Sequence, residues 1–94
     1  MEERYVIYKY VLGIAHRYVV NMPDTAKIIK VGVQDDKICL WAIVPKGEVA
    51  FPKEFIIVGT GMILPEDIGD YVGTVQKKGF DDMEFVWHVF KKQN

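Results

Sequence analysis

The chain has 94 residues, half of them hydrophobic and 13% aromatic, with a formal net charge of −1 from twelve basic and thirteen acidic side chains. A length of this order makes one domain, residues 1–94, which buries only roughly 60–65% of the surface its unfolded chain exposes. The apolar content exceeds what a monomer of this size needs and points to a homo-oligomer, while balanced charge with only two arginines, Arg4 and Arg17, argues against extended nucleic acid.

The single cysteine, Cys39, forms no internal disulfide and fits a reducing compartment. "MEERYVIYKY" has the pattern of neither a secretory signal nor a transit peptide. No apolar run reaches the roughly 18 residues of a membrane span. The expectation is a cytoplasmic protein with no membrane partner.

Period-two alternation dominates the chain. "RYVIYKYVL" separates Val6, Tyr8, Tyr10 and Leu12 from Tyr5, Ile7, Lys9 and Val11, and "HRYVVNM" alternates in the same way. The short "GIA" between them predicts a hairpin of the first two strands. "NMPDTA" breaks the pattern, because Pro23 donates no ladder hydrogen bond and Asp24 and Thr25 are turn formers.

"KIIKVGVQ" is the third strand, with Gly32 marking a bulge or a close approach. Asp35-Asp36 is a two-residue turn into "ICLWAIV", poorer than Asn-Gly because a type I′ turn needs positive φ at both residues. "PKGEVAFPKE" is the longest polar connection, and "FIIVGT", "YVGTVQ" and "MEFVWHVF" are the fifth to seventh strands. Pro65, Glu66 and Asp67 suit the first turn of a short helix within Leu64 to Asp70. These elements predict a mainly β fold: a small antiparallel sandwich or barrel-like domain of about seven short strands, with at most short helical turns. The fourth and seventh strands suit central positions.

The chain contains no serine, which excludes a serine nucleophile. Cys39 inside "ICLWAIV" reads as a small buried hydrophobe rather than a nucleophile. The two histidines, His16 and His88, have no metal-ligand spacing, and the acidic groups Asp35-Asp36, Glu66-Asp67-Asp70 and Asp81-Asp82-Glu84 read as solvated turn residues. No catalytic residue, metal or cofactor is assigned.

"GTGMILPEDIGDYVGT" fits neither a Walker loop nor a dinucleotide fingerprint, since both spacings and the following long helix are missing. Two readings stay open. Gly59, Thr60 and Gly61 present backbone N–H groups and a hydroxyl to an anion, with Lys77 and Lys78 supplying charge if the chain folds back. Alternatively, the glycines permit only a bulge and a turn. Trp41, Trp87 and Tyr71 are core or interface residues, or stacking surfaces for a nucleobase.

The chain resembles a family of small bacteriophage and prophage proteins. The resemblance rests on Tyr8-Lys9-Tyr10, on Met22-Pro23 with Ala26, Ile28, Val31 and Gln34, and on Leu40-Trp41-Ala42 with Val44. It continues through Gly59-Thr60-Gly61, Leu64-Pro65, Asp67, Tyr71, Gly73-Thr74 and Gln76 to Val86-Trp87-His88-Val89-Phe90. The chain departs from that pattern at Asp35-Asp36, where Asn-Gly is frequent, and at Met62, where a polar residue is frequent.

The resemblance implies a phage protein working inside a host bacterial cell, where counter-defence is a common role. With the site chemistry it implies a non-enzymatic protein that sequesters a small nucleotide-type immune signal. The ligand-binding residues are then Gly59, Thr60, Gly61, Tyr71, Thr74, Trp87 and His88. The alternatives are an inhibitor or accessory factor acting on a host defence protein, and a small metal-dependent hydrolase built on Glu66, Asp67, Asp70 and a histidine.

Overall fold

The computed structural model describes residues 4–13, 16–78 and 82–94. Seven antiparallel strands follow one another as β1 (Tyr5–Gly13), β2 (Arg17–Pro23), β3 (Lys27–Gln34), β4 (Lys37–Pro45), β5 (Ala50–Gly59), β6 (Ile68–Lys78) and β7 (Glu84–Lys92). They form a three-stranded sheet ordered β1-β4-β3 and a four-stranded sheet ordered β2-β5-β7-β6. The two sheets pack face to face as a sandwich and do not close into a barrel. β4 and β7 are indeed interior strands. Among the described residues no helix is long and apolar enough to cross a membrane.

The core lies between the sheets and draws on both, with Leu12, Ile38 and Leu40 from one and Met22, Phe55, Ile57, Val75 and Val89 from the other. Alternation places Ile38, Leu40, Ala42 and Val44 of β4 inward, and all four are buried. No side chain of polar or charged type is buried among the described residues. The fold therefore rests on apolar burial and ladder hydrogen bonds.

Turn chemistry follows the sequence closely at β3–β4. Asp35 and Asp36 have φ of 51° and 65°, and Gln34 pairs with Lys37, as a two-residue turn with positive φ at both positions requires. Pro52 is accommodated because β7 pairs with β5 only over Phe55–Gly59, so at Pro52 the strand has its β2 neighbour alone. Gly32 is a close approach and not a bulge. A Cβ there would come 3.3 Å from the Trp41 ring, and the bulge falls between Ile28 and Lys30.

Two expectations are corrected. β1 and β2 form no hairpin: β1 pairs with β4 from Tyr5↔Pro45 to Gly13↔Ile38, and β2 pairs with β5. A register shift after Val11 and a φ of 76° at Gly13 turn the chain out of one sheet toward the other, which makes this a sandwich corner. Ile14 and Ala15 of the connection lie outside the described residues, as does Asp81. The short helix within Leu64 to Asp70 is also absent. β6 already begins at Ile68, and the Asp67 carboxylate binds Arg17 in place of capping a helical turn.

β5 and β6 run parallel to each other on either side of β7, since each is antiparallel to it. β5 ends opposite Trp87, whereas β6 begins opposite Lys92. Residues 60–67 therefore return along β7, as a strap over the outer face of the four-stranded sheet. This explains why Ile56 and Val58, which point away from the core, are nevertheless buried.

Candidate functional site

Beneath the strap is a cleft of about 240 Å³, lined by the Val58–Met62 turn, Leu64, His88 and Phe90. His88 sits on β7 opposite Val58 of β5 and Thr74 of β6, so three adjacent strands bring their outward side chains to one row. The imidazole is held at both nitrogens. Its Nε2 lies 2.8 Å from Thr60 Oγ1, and its Nδ1 lies 3.0 Å from Thr74 Oγ1. Thr74 Oγ1 is in turn 2.5 Å from the Tyr71 hydroxyl. Tyr71 also packs edge-on against Phe90, with ring centroids 5.6 Å apart.

This chain has a countable proton inventory. A neutral imidazole donates from one nitrogen and accepts at the other, and each of the three hydroxyls carries one proton. If Tyr71 donates to Thr74 and Thr74 to Nδ1, then Nε2–H donates to Thr60 and the Thr60 proton faces outward. In the opposite direction Thr60 donates to Nε2, and the Tyr71 proton is left over. Either way one hydroxyl at an end of the chain can donate to a ligand, and the other end can accept.

The loop itself is a turn. Met62 N–H donates to Gly59 O (3.0 Å), and Gly61 has φ of 92°, the glycine-requiring third position of a type II turn. Thr60 N–H donates to Val86 O (3.1 Å), and Gly59 N–H points at the Met62 sulfur (3.3 Å). Two of the three amides expected to cradle an anion are thus committed within the protein. Lys77 is committed too, with its Nζ 3.0 Å from Asp36 Oδ1 at the β3–β4 turn.

Among the expected ligand residues, the structure joins Thr60, Tyr71, Thr74 and His88 through hydrogen bonds, with Gly59 and Gly61 shaping the cleft. Trp87 does not join them. It alternates with His88 and packs toward the core, where a Cβ on Gly59 would come 3.0 Å from its ring. His16 also lies elsewhere: its carbonyl accepts from Ile57 N–H (2.7 Å), and its Nδ1 is 3.5 Å from Ile57 O. Among the described residues no three His, Cys, Asp or Glu side chains converge as a metal site. A larger hollow of about 400 Å³, near Lys53 and Lys91, contains none of the candidate residues.

Sequence reasoning missed Arg17. From β2 it forms a bidentate pair with Asp67 at the end of the strap (2.7 and 2.8 Å) and a further bond to Glu54 (2.7 Å). Gln93 N–H donates to Asp67 O (2.8 Å), so the end of the strap at Asp67 is tied both to β2 and to the residue that follows β7. The only available signal was that one of just two arginines faces an acid-rich loop 50 residues away.

The hydrogen bond from Arg17 holds the Asp67 carboxyl below its ordinary 3.8, against a smaller opposing effect of burial, and Asp67 raises Arg17 in turn. A carboxyl with a depressed folded-state value stabilises fully above its unfolded value and loses that contribution as pH falls through the depressed one. Hydrogen exchange in residues 60–67, normalised to intrinsic rates, is therefore expected to quicken relative to β7 as the pH falls from about 5 through the depressed carboxyl. Asp67→Asn should abolish this differential. An unchanged profile in the variant would show that the strap is held by other contacts.

Residues 4–94 match a family model described as a domain of unknown function, DUF7352. No curated protein and no solved structure matches the chain.

Proposed function

The chain belongs to the DUF7352 family, and from the geometry of its strap-covered cleft we propose that it is a non-enzymatic binding protein for a small nucleotide-type ligand. In this reading it is a phage or prophage protein that withholds a defence signal in the cytoplasm of the bacterial host, as a homo-oligomer. The observation that carries the proposal is the Tyr71–Thr74–His88–Thr60 hydrogen-bond chain, which runs from Thr60 and His88 in the cleft lining out to Thr74 and Tyr71 beside it. Its Thr60 end offers a donor or an acceptor beside an apolar floor of Val58 and Phe90, and its Tyr71 end offers the complementary group next to the cleft. The exposed ring of Tyr71 supplies a stacking surface, because every nucleobase has a π-face.

Small binding sites combine an apolar lining with a few fixed polar groups, and this cleft has both. The volume suits one base or one sugar-phosphate unit, so a larger ligand extends past the strap or into a second subunit. Native mass spectrometry of protein from infected, defence-competent bacteria tests the reading and reports the subunit number. A stoichiometric small-molecule adduct is expected, absent from protein made in uninfected cells. In calorimetry with the identified nucleotide, Thr60→Val and His88→Ala should each weaken binding roughly tenfold, the worth of one hydrogen bond. No adduct, or variants binding like the wild type, would sink the proposal.

One observation favours a second reading. Met62, Ile63 and Leu64 form an apolar ridge on the strap, with Ile63 94% exposed. A ridge of that kind suits the surface of a host defence protein. Pull-down of one host protein that is lost with Ile63→Asp, together with no adduct, would establish this inhibitor role instead.

A further inference from the structure

We propose that the outer face of the β1-β4-β3 sheet binds single-stranded nucleic acid. This face lies on the opposite side of the sandwich from the strap, and it is independent of the cleft. Lys9 of β1, Lys27 and Lys30 of β3 and Lys37 of β4 are in register with outward positions of the sheet. All four are exposed. None of the three strands contains an aspartate or glutamate. A chain of net charge −1 thus carries one sheet whose charged side chains are all basic.

The centre of that face is aromatic. Trp41 is half-buried on β4, and its row neighbours are Lys9 on one side and Lys30 on the other. The Lys30 ammonium sits over the ring, 5.2 Å from its centroid. Gly32 leaves room for the indole to lean across β3. The Lys9 stem reaches across β4, where its Nζ donates to Gln34 Oε1 (2.6 Å). At the β3–β4 turn Asp36 is paired with Lys77.

A π-face whose row neighbours are lysines rooted on the two flanking strands can match the alternation of base and phosphate along a single strand once their ammonium groups are released. A base stacks on Trp41 when Lys30 swings from the ring to a phosphate, and Lys9 exchanges Gln34 for another. An acidic peptide would use the lysines but leave the indole without a partner. An anionic membrane would use the lysines and the exposed Tyr5, Ile7 and Val11 on the same face, but not the indole of Trp41, which is tucked against the sheet. Scattered lysines on an otherwise balanced chain conceal such a face, because net charge carries no information on segregation.

The test is fluorescence anisotropy with a labelled oligothymidylate of about 15 nucleotides, long enough to cross a site of one small domain. Saturable binding at low salt is expected, with a slope of log K against log salt of about −2.8, at roughly 0.7 for each of four lysines. The Lys9→Gln, Lys30→Gln pair should halve that slope and weaken binding at least roughly tenfold near 50 mM salt. These residues are exposed, so the fold is retained. In Trp87→Phe protein, Trp41 is the only tryptophan, and its emission should be quenched on titration. No binding near 50 mM salt would overturn the proposal. So would binding indifferent to the lysine pair, no quenching of Trp41, or equal binding to phosphatidylserine vesicles, which would make the face a membrane surface.

Discussion

Replacing Phe55 with alanine is expected to destabilise the domain by about 3–5 kcal/mol, the range for truncating a buried aromatic. Phe55 has no exposed surface and is the largest fully buried side chain. On β5 it stands between Tyr18 of β2 and Lys91 of β7, and it packs in the cluster that joins both sheets. The removed ring leaves a cavity that the two packed sheets cannot readily collapse into, because the spacing of their strands is fixed by ladder hydrogen bonds. A domain of this size has a total stability of roughly 5–15 kcal/mol, so the loss is a large fraction of it. Urea unfolding should show a lower midpoint with an unchanged slope. A loss under about 1.5 kcal/mol would mean that the sheets do not pack on this ring.

The second large effect comes from adding a single methyl group. A Cβ at Gly69 would lie 2.7 Å from Lys91 O, 3.1 Å from Gln93 N and 3.2 Å from Lys92 C. All three are backbone atoms, so no side-chain rotation relieves the clash. Gly69→Ala is expected to cost about 3 kcal/mol, the upper part of the usual overpacking range. It should also loosen the start of β6, where Gln93 N–H holds Asp67 O. Gly73→Ala meets the Val31 methyl at 2.6 Å, and a side chain can yield where a backbone cannot. The test is the order of the two unfolding midpoints. Equal or reversed values would show that β6 shifts freely along β7.

Period-two patterning made the seven strands legible, and the doubly apolar β4 and β7 declared themselves as interior strands. It does not say which face of a strand points inward when both carry aromatics. That is why Trp87 and His88, adjacent residues on opposite faces, were placed together in one site. The hydrogen-bonded set of Thr60, Tyr71, Thr74 and His88 was legible as a group of polar residues, but not as a chain, because its links depend on the register of three strands. The partition of β1 and β2 into different sheets turns on a corner at Gly13 that reads locally like a hairpin. Arg17 and Asp67 meet only because the strap crosses β7, and the four lysines of β1, β3 and β4 gather only after those strands pair. Gly69 gave no signal at all, since its need for a bare α-carbon comes from a backbone 22 residues away.

The crossing of β7 by the strap also sets an order of assembly. β5 and β6 leave the ribosome before the strand that separates them, so neither can take its final sheet neighbour on that side as it emerges. Each holds an open edge until Glu84 to Lys92 slides in beneath the strap. Non-local pairing of this kind is slow and leaves strand edges exposed to other chains in the interval. The hydrogen bonds of β7 should therefore be the last in the four-stranded sheet to gain protection during refolding. Shortening the chain within that strand removes the middle of the sheet rather than its margin.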